Sequence, residues 1–326
     1  MKHLFIINSQ ATLFKRGGRL RELVRDIRAF FANYPQIKYD IHITRWKRDA
    51  TGYSRRYVAG SDELVRVYAM GGTSTLFEVV NGVIGLPNVQ VGMYPAGRIN
   101  SSLQYFGQDK SYLFRSLQNL IYSGVVSMDA LRCGNNYGMS LSAIGLEAMA
   151  SRAGDAFINQ AGLWPWRQLF VRQIYFFTAV YYALKKGSAQ YYRVAIDGEA
   201  FDGEYLSVLM ANQPHHRPKP PSEPDARPDD GILDIYLVRP VSKLRALRVA
   251  SDYVQGQYGK WPQFISHHRG KGISISCDQF MSISLDGEPF FSTDIDCAVV
   301  PHAIDFVCPG SLDPRYTAVS AKQGEK

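Results

Sequence analysis

Two glycine-containing turns carry the residue types best suited to chemistry in this sequence. The first, Gly71–Thr75, reads GGTST and lies between the apolar run Leu64–Met70 and a helical pattern over Thr75–Val83. The second, Pro95–Asn100, reads PAGRIN and again follows an apolar run. Glycine lets a backbone approach a phosphate, and the N–H groups and dipole of a helix N-terminus favour its charge. An ordinary strand-to-helix turn explains either segment alone, but two in succession favour phosphate binding without fixing the ligand.

Acidic residues form two further candidate segments. Asp286–Glu288, reading DGE, lies between two predicted strands, and Asp229–Gly231, reading DDG, has the pattern of a type I turn before the strand Ile232–Val238. Solvated turns are the commoner explanation for both segments. The pairs His215-His216 and His267-His268 have no third ligand at a recognisable metal-site spacing, so we expect them at the surface.

The predicted secondary structure that positions these segments changes near Gly124, from alternating strands and helices to mostly strands. Before that point, apolar runs alternate with helical patterns, beginning with the strand Lys2–Asn8 and the helix Gly18–Asn33. This alternation predicts a parallel sheet with helices on both faces, whose ligands bind beyond the carboxyl ends of the strands. After Gly124 the patterns predict seven short strands, among them Gly138–Ala143 and Ala298–Val307, and only two helices. Such a series favours an antiparallel sandwich or barrel.

Composition limits the classes of function. The 326 residues suffice for two domains, and 46% hydrophobic with 20% charged residues is typical of a folded chain. The formal net charge of +8 favours anionic partners, namely nucleotide phosphates, anionic lipid surfaces or nucleic acid. No run of Lys and Arg is typical of a nucleic-acid-binding tail, so we expect no nucleic-acid partner.

Cysteine usage and hydropathy indicate a cytoplasmic protein. None of Cys133, Cys277, Cys297 and Cys308 forms a CxxC pair, so neither a disulfide framework nor a zinc site is expected. The most hydrophobic stretch, Ile174–Leu184, is too short to span a bilayer. We therefore expect a soluble protein that can touch a membrane.

Six segments, in this order, resemble the diacylglycerol kinase catalytic family, which includes bacterial lipid kinases, sphingosine kinases and ceramide kinase. They are Ile7–Ser9, Gly71–Gly82, Pro95–Asn100, Gly145–Ala148, Ala226–Asp234 and Asp286–Glu288. The second, GGTSTLFEVVNG, is similar to the family's GGDGTLNEV-x-NG, and the fifth, ARPDDGILD, is similar to its AxxDDGxLD. The resemblance covers nearly the whole chain, from Leu4 to Pro309.

The resemblance implies the two-domain fold shared by NAD kinase and the diacylglycerol kinases. Residues 1–124 are expected to form the α/β domain that binds ATP on a parallel sheet with helices on both faces. Residues 125–310 are expected to form the β-rich sandwich domain that carries the lipid, with the active site between the domains. Residues 311–326 are expected to pack back on the first domain.

The resemblance also implies roles for individual residues. The expected nucleotide-binding residues are Asn8, Thr44, Gly71, Gly72, Thr73, Thr75, Gly97, Arg98 and Asn100. Glu288 is expected to act as the catalytic base or a metal partner, and Glu147 to orient the acceptor hydroxyl. Asp230 is expected to support a structural Mg²⁺ site. ATP and Mg²⁺ are the expected cofactors.

The first loop departs from the family pattern at a position that matters for catalysis. The family's aspartate is Thr73 here, and its next glycine is Ser74. Threonine exchanges hydrogen bonds but supplies neither a negative charge nor a base. The second loop has Arg98 in place of threonine, which could replace part of a metal's charge at the phosphates or block the site.

Two functions from different classes fit these residues. One is an ATP- and Mg²⁺-dependent kinase of a lipid hydroxyl, of the diacylglycerol or sphingoid-base type. The other is a catalytically inactive member that binds lipid or nucleotide and acts through a partner. A kinase of a soluble substrate is a third option. Basic residues in 167–186 and 215–219 add the expectation of peripheral contact with an anionic membrane, and a homodimer is a further option.

Overall fold

The chain divides into two compact units in a computed structural model. The structure describes residues 1–15, 18–97, 100–159, 174, 177–178, 180–182, 189–214, 226–254 and 257–312. The first unit is formed by Met1–Asp129 and Pro301–Lys326, and the second by Ala130–Val300. The chain passes between the units within two strands, β5 (Gly124–Cys133) and β15 (Glu288–Cys308).

The first unit contains a parallel sheet with the strand order β2-β1-β3-β4. Its strands are β1 (Lys2–Ile7), β2 (Tyr39–Ile43), β3 (Val65–Gly71) and β4 (Val89–Pro95). Every residue of β3 is buried, which explains its continuous apolar run. The final part of β15 continues this sheet beside β4, with Phe306 opposite Val91.

Helices of the first unit follow the predicted apolar stripes. They are α1 (Arg19–Ala32), α2 (Asp49–Ala59), α3 (Thr73–Val83) and α4 (Leu117–Tyr122), with 3-10 helices at Ser101–Phe106, Gln108–Arg115 and Gly310–Leu312. Helix α1 buries Leu23, Ile27 and Phe31, and the Phe31 ring lies 5.8 Å from that of Phe5 in β1. Helices α2 and α3 pack against each other. The predicted α/β architecture of the first half is therefore confirmed.

The second unit is rich in antiparallel strands, as predicted. Its remaining strands are β6 (Asn136–Gly138), β7 (Leu141–Gly145), β8 (Gln190–Ile196), β9 (Glu199–Ala200), β10 (Gly203–Tyr205), β11 (Ser207–Ala211), β12 (Leu233–Val238), β13 (Ile265–Gly270) and β14 (Gly272–Leu285). They pair in the order β13-β12-β11-β7-β14-β15, and β8 pairs with β14 as well. The described helices are α5 (Leu146–Asn159), α6 (Lys243–Val254) and a 3-10 turn at Tyr258–Lys260.

Two of the four cysteines depart from the sequence expectation. Cys133 of β5 and Cys297 of β15 form a disulfide with a Cα–Cα distance of 4.2 Å. Cys277 and Cys308 are buried free thiols. The pairing of β5 with β15 brings together two cysteines that lie 164 residues apart, which sequence spacing alone could not reveal.

The described helices are too short or too polar to span a lipid bilayer. Part of the hydrophobic stretch Ile174–Leu184 lies outside the described residues, as do the basic loop at 215–219 and the C-terminal residues 313–326.

Candidate functional site

The carbonyl of Gly71 ties the two glycine turns together. It accepts the N–H groups of Ala96 at 2.9 Å and Gly97 at 3.0 Å. Gly71 ends β3, and a Cβ added there would lie 2.1 Å from Thr75 Oγ1, so no larger residue fits without displacing that side chain. Gly72 precedes α3, and the first turn of a helix leaves backbone N–H groups available to an anion.

Thr73 forms a second connection between the turns. Its side chain is buried, and its Oγ1 accepts the N–H of Ser101 at 3.0 Å and lies 3.1 Å from Ser101 Oγ. Helix α3 begins at Thr73 itself, earlier than the helical pattern from Thr75 predicts. The residue that replaces the expected aspartate therefore braces the second turn with a neutral hydroxyl.

Polar side chains from neighbouring strands surround this edge of the sheet. Asn8, which follows β1, donates from Nδ2 to Thr75 Oγ1 at 3.1 Å. The N–H of Thr44, after β2, donates to the carbonyl of Ile7 at 2.9 Å. The structure thus brings Asn8, Thr44 and Thr75 to one edge, as expected for a parallel sheet.

Asn100 contributes a polar atom suited to a ligand. Its Nδ2 donates to the carbonyl of Gly97 at 3.1 Å, whereas its Oδ1 is buried and has no hydrogen-bond partner among the described residues. A buried acceptor is costly unless a donor satisfies it, so this oxygen fits an N–H or O–H group of a ligand. Arg98, between these two residues, lies outside the described part of the chain.

Sequence reasoning assigned no separate role to Glu78. Its carboxylate accepts the N–H of Arg48 at 2.8 Å and that of Ala50 at 3.3 Å. It therefore fixes the loop between β2 and α2 against α3. The sequence did contain a signal for this role, since Glu78 lies five residues after Thr73 in the helix that follows the GGTST turn.

Gly145 sets the direction in which Glu147 leaves β7. Its φ of +83° is left-handed, and an added Cβ would lie 2.5 Å from the carbonyl oxygen of Leu206. Leu146 donates its N–H to the same carbonyl at 2.7 Å, and Glu147 then occupies the first turn of α5. A glycine is therefore required at this turn.

Glu147 lies beside a buried aromatic cluster. Leu146 packs against a cluster that contains Tyr236 and Tyr258, whose rings are 4.5 Å apart. Burial, and next the charge of Glu147, raise the pKa of Tyr258 well above its ordinary value. Glu147 therefore lies at the border of a buried apolar cluster.

The DGE turn contains one structural acid. The carboxylate of Asp286 accepts the N–H groups of Met139 at 2.6 Å, Ser140 at 3.0 Å and Leu141 at 3.0 Å. Asp286 is buried, so it anchors the segment that enters β7 and is no solvated turn residue.

Glu288 is half-buried and begins β15 directly after this turn. Because Ser142 pairs with Leu285 and Ile144 with Ile283, the turn lies at the amino end of β7. Glu147 follows the opposite end of that strand. The structure therefore does not bring these two acids together, since each strand residue advances about 3.4 Å.

Comparison with known proteins decides the family. The diacylglycerol kinase catalytic domain matches residues 2–133, and the YegS C-terminal NAD kinase beta sandwich-like domain matches residues 143–308. The chain belongs to the diacylglycerol kinase catalytic-domain family. Its relatives include proteins named "Putative lipid kinase" from Staphylococcus aureus strains Mu3 and Newman. Each is 26% identical over 247 residues, which cover 76% of this chain and 78% of the relative.

Solved structures share the fold. A crystal structure of a "putative diacylglycerol kinase" from Bacillus anthracis strain Sterne covers 95% of this chain and 96% of its own, with a TM-score of 0.72 and 21% identity. A second diacylglycerol kinase structure from that strain gives a TM-score of 0.65 at 18% identity, covering 95% of this chain and 98% of its own. These likenesses support the two-domain diacylglycerol kinase fold.

The surroundings of Asp230 do not fit the structural Mg²⁺ that resemblance to this kinase family implies. Asp230 Oδ2 accepts a hydrogen bond from Arg269 Nη2 at 2.7 Å, and Oδ1 accepts the N–H of Ile232 at 3.1 Å. Mg²⁺ requires oxygen ligands, and the guanidinium already supplies the positive charge here. Across the described residues, no group of three or more His, Cys, Asp or Glu side chains could hold a metal ion.

His267 and Arg269 are the residues that sequence reasoning missed at this position. His267 was expected at the surface, but its Nε2 lies 2.7 Å from Oδ1 of the buried Asp234. The pairing of β12 with β13 places Asp234 opposite Arg269. Only knowledge of that register could have linked these side chains to the DDG segment.

Proposed function

We propose that this protein is an ATP-dependent lipid kinase that transfers the γ-phosphoryl group to the hydroxyl of a diacylglycerol or sphingoid-base type lipid. The observation that carries the proposal is the joined pair of turns in the first unit. Gly71 and Thr73 hold the second turn in place, and Asn100 offers a buried acceptor beside it. This arrangement combines a helix N-terminus, close backbone approach and a specific polar contact.

Nucleotide recognition is assigned to the first unit. The phosphates, carried with Mg²⁺ as part of the substrate, are assigned to Gly71, Gly72 and the N-terminus of α3. Further nucleotide contacts are assigned to the rest of the expected set, namely Asn8, Thr44, Thr73, Thr75, Gly97, Arg98 and Asn100. Thr73 cannot contribute charge, so ATP affinity should be lower than with an aspartate at this position.

The acceptor is assigned to the second unit. Glu147 borders the aromatic cluster around Tyr258, and it lies at the other end of β7 from Glu288, so it is assigned a contact with a polar group of the lipid other than the reacting hydroxyl. Glu288 is assigned the role of base. The hydroxyl oxygen attacks the γ-phosphorus, its proton passes to the Glu288 carboxylate, the bond to the β-phosphate breaks, and ADP leaves.

Phosphorylation of lipids by the purified full-length chain tests this function. ATP labelled in the γ-phosphate is supplied with diacylglycerol, monoacylglycerol or a sphingoid base in mixed micelles. We expect label transfer to one class of lipid, and a higher rate in Thr73→Asp, which restores the acidic residue of the family. A folded protein that binds ATP but transfers label to none of these lipids, even as Thr73→Asp, would instead indicate the catalytically inactive member considered from the sequence.

We also propose a peripheral contact with anionic membranes, made through the first unit. Residues 15–56 contain twelve Lys and Arg against four Asp and Glu, an excess equal to the formal net charge of +8 of the whole chain. Arg21, Arg25 and Arg28 are exposed on α1. The loop Arg45–Arg48 is exposed too, and its Trp46 is 66% exposed. Basic side chains near an anionic bilayer contribute about 1 kcal/mol each, and tryptophan favours the interface.

Vesicle co-sedimentation tests the membrane contact. Binding to vesicles containing phosphatidylglycerol should fall with added salt, and the triple variant Arg21→Gln, Arg25→Gln, Arg28→Gln should bind more weakly. A matched control neutralises Arg239, Arg245 and Arg248 in the second unit. Equal binding to neutral vesicles, or equal loss in the control, would contradict the assigned surface.

A further inference from the structure

Two carboxylates in the segment Asp229–Asp234 share one guanidinium. Arg269 donates from Nη2 to Asp230 Oδ2 at 2.7 Å, and its Nε lies 3.6 Å from Asp234 Oδ1. Arg269 stands directly opposite Asp234 in the antiparallel pair β12–β13. The strand register therefore fixes the guanidinium between the two acids.

Asp230 and Asp234 differ in exposure, and the more buried carboxylate has the greater need of a compensating positive charge. The side chain of Asp234 is 1% exposed, against 22% for Asp230 and 48% for Arg269. A buried carboxylate must be paired with positive charge or strong donors. Asp234 Oδ1 meets His267 Nε2 at 2.7 Å, whereas its Oδ2 is buried without a hydrogen-bond partner among the described residues. Arg269 is the residue that contacts both acids.

A divalent cation would compete with this arrangement. Mg²⁺ binds oxygen ligands at about 2.1 Å in an octahedron and is repelled by a neighbouring guanidinium. Both oxygens of Asp230 already accept hydrogen bonds, from Arg269 and from the N–H of Ile232. With Arg269 in place, Asp230 has no spare oxygen for a metal, and the guanidinium offsets the negative potential that a metal site needs.

We propose that Arg269 is a built-in counter-ion that holds the Asp230–Asp234 turn against β13 in place of a divalent cation. It is a positioning residue and touches no proposed substrate. The native fold of the second unit then needs no Mg²⁺, whichever molecule the protein phosphorylates. Loss of the guanidinium exposes a pair of carboxylates that Mg²⁺ can bridge.

Thermal unfolding of the full-length protein tests both statements. The wild type is dialysed against EDTA and then titrated with MgCl2, with ionic strength matched by NaCl. Its Tm should not change in either step. Arg269→Gln should unfold at a lower temperature in EDTA, by roughly 3–6 °C, and should recover most of this loss in saturable fashion with MgCl2.

Arg227→Gln is the matched control. Arg227 pairs with Asp229 in the same segment at 3.1 Å, but on the exposed surface. The control should show neither the loss nor the Mg²⁺ response. A wild type that loses stability in EDTA and regains it with Mg²⁺ would overturn the proposal, as would an equal Mg²⁺ response in Arg227→Gln.

A second variant covers failure of Arg269→Gln to fold. Arg269→Lys keeps the charge but loses the forked donor, so its Tm should be insensitive to EDTA and Mg²⁺. A Mg²⁺-dependent Tm for Arg269→Lys would overturn the proposal, and an insensitive Tm would support it.

Discussion

The hydroxyl oxygen of Thr73 accepts the N–H of Ser101 at 3.0 Å, joining the first turn of α3 to the second glycine turn. Thr73→Val keeps the volume but leaves this partly buried N–H unpaired. We expect the free energy of unfolding to fall by about 1–3 kcal/mol, and ATP binding to weaken because the second turn loses its brace. Chemical denaturation and calorimetry measure the two effects. Thr73→Ser retains the oxygen, so a Ser variant as unstable as the Val variant would contradict this role.

Gly71 is required by space rather than by its backbone conformation. An added Cβ would lie 2.1 Å from Thr75 Oγ1, the atom that also accepts a hydrogen bond from Asn8. Gly71→Ala should therefore displace Thr75 and reduce ATP affinity at least tenfold, about 1.4 kcal/mol. Gly124→Ala is the matched control, since nothing lies within 4 Å of a Cβ at that position. Unchanged calorimetric affinity in Gly71→Ala would exclude this turn from the nucleotide site.

The sequence predicted the first unit closely because local pattern and packing agree there. The helix predicted over Gly18–Asn33 is Arg19–Ala32, and the apolar run that ends at Met70 is β3. Parallel strands with buried faces produce long apolar runs that are easy to recognise. The same reasoning placed both glycine turns at one edge of the sheet, where the carboxyl ends of such strands lie, but it did not predict the hydrogen bonds that join them.

The second unit was harder to predict because its strands depend on distant pairing. The predicted strand Ala298–Val307 is part of the 21-residue β15. The predicted strands Gly272–Cys277 and Met281–Asp286 form the single β14, whose register with β15 shifts between Ser276 and Met281. Helix α5 was missed. The contacts of Arg269 with Asp230 and Asp234 arise from strand register, which no local pattern specifies.

His3 makes stability depend on pH. It is buried, its Nδ1 lies 2.9 Å from the Tyr68 hydroxyl, and burial, followed by the charge of Arg66, lowers its pKa from 6.5 to about 4. Between these values the unfolded chain binds a proton that the folded chain does not. The neutral imidazole therefore contributes full stability above about pH 6.5, and about 3 kcal/mol is lost as the pH falls towards about 4.

His3→Gln should remove this dependence while keeping a polar partner for Tyr68. Urea unfolding of both proteins at about pH 7.5 and about pH 5 measures the difference. A wild type and variant that lose the same stability between these values would show that His3 is not the titrating group.

Cys133 and Cys297 should be oxidised in the isolated protein. A thiol reagent under denaturing, non-reducing conditions should then detect only Cys277 and Cys308, and all four cysteines after reduction. The closed loop of 164 residues predicts that reduction lowers stability by at most about 5 kcal/mol. Cys297→Ser should match the reduced protein, whereas Cys308→Ser should remain disulfide-bonded. Four reactive thiols before reduction would contradict the pairing.

Asp286 and Glu288 are two residues apart, yet their expected roles differ. Asp286 accepts three backbone N–H groups, so Asp286→Asn should lower the stability of the second unit by leaving a buried N–H facing an amide donor. Glu288→Gln keeps the size and polarity of a half-buried side chain and should leave the unfolding transition in place.

Kinase activity should distinguish Glu288 from Asp286 in the opposite way to stability, with Glu288 as the residue that the reaction needs. If Glu288 accepts the proton of the lipid hydroxyl, Glu288→Gln should lower kcat by roughly a hundredfold to ten-thousandfold, because the amide cannot act as a base. Its ATP affinity should stay near that of the wild type, since nucleotide contacts are assigned to the first unit. Steady-state kinetics and calorimetry on the same preparation measure both quantities. A Glu288→Gln protein with wild-type kcat would show that this residue takes no part in the chemistry. Glu147, at the border of the Tyr258 cluster, would then be the next acid to test, with the variant Glu147→Gln.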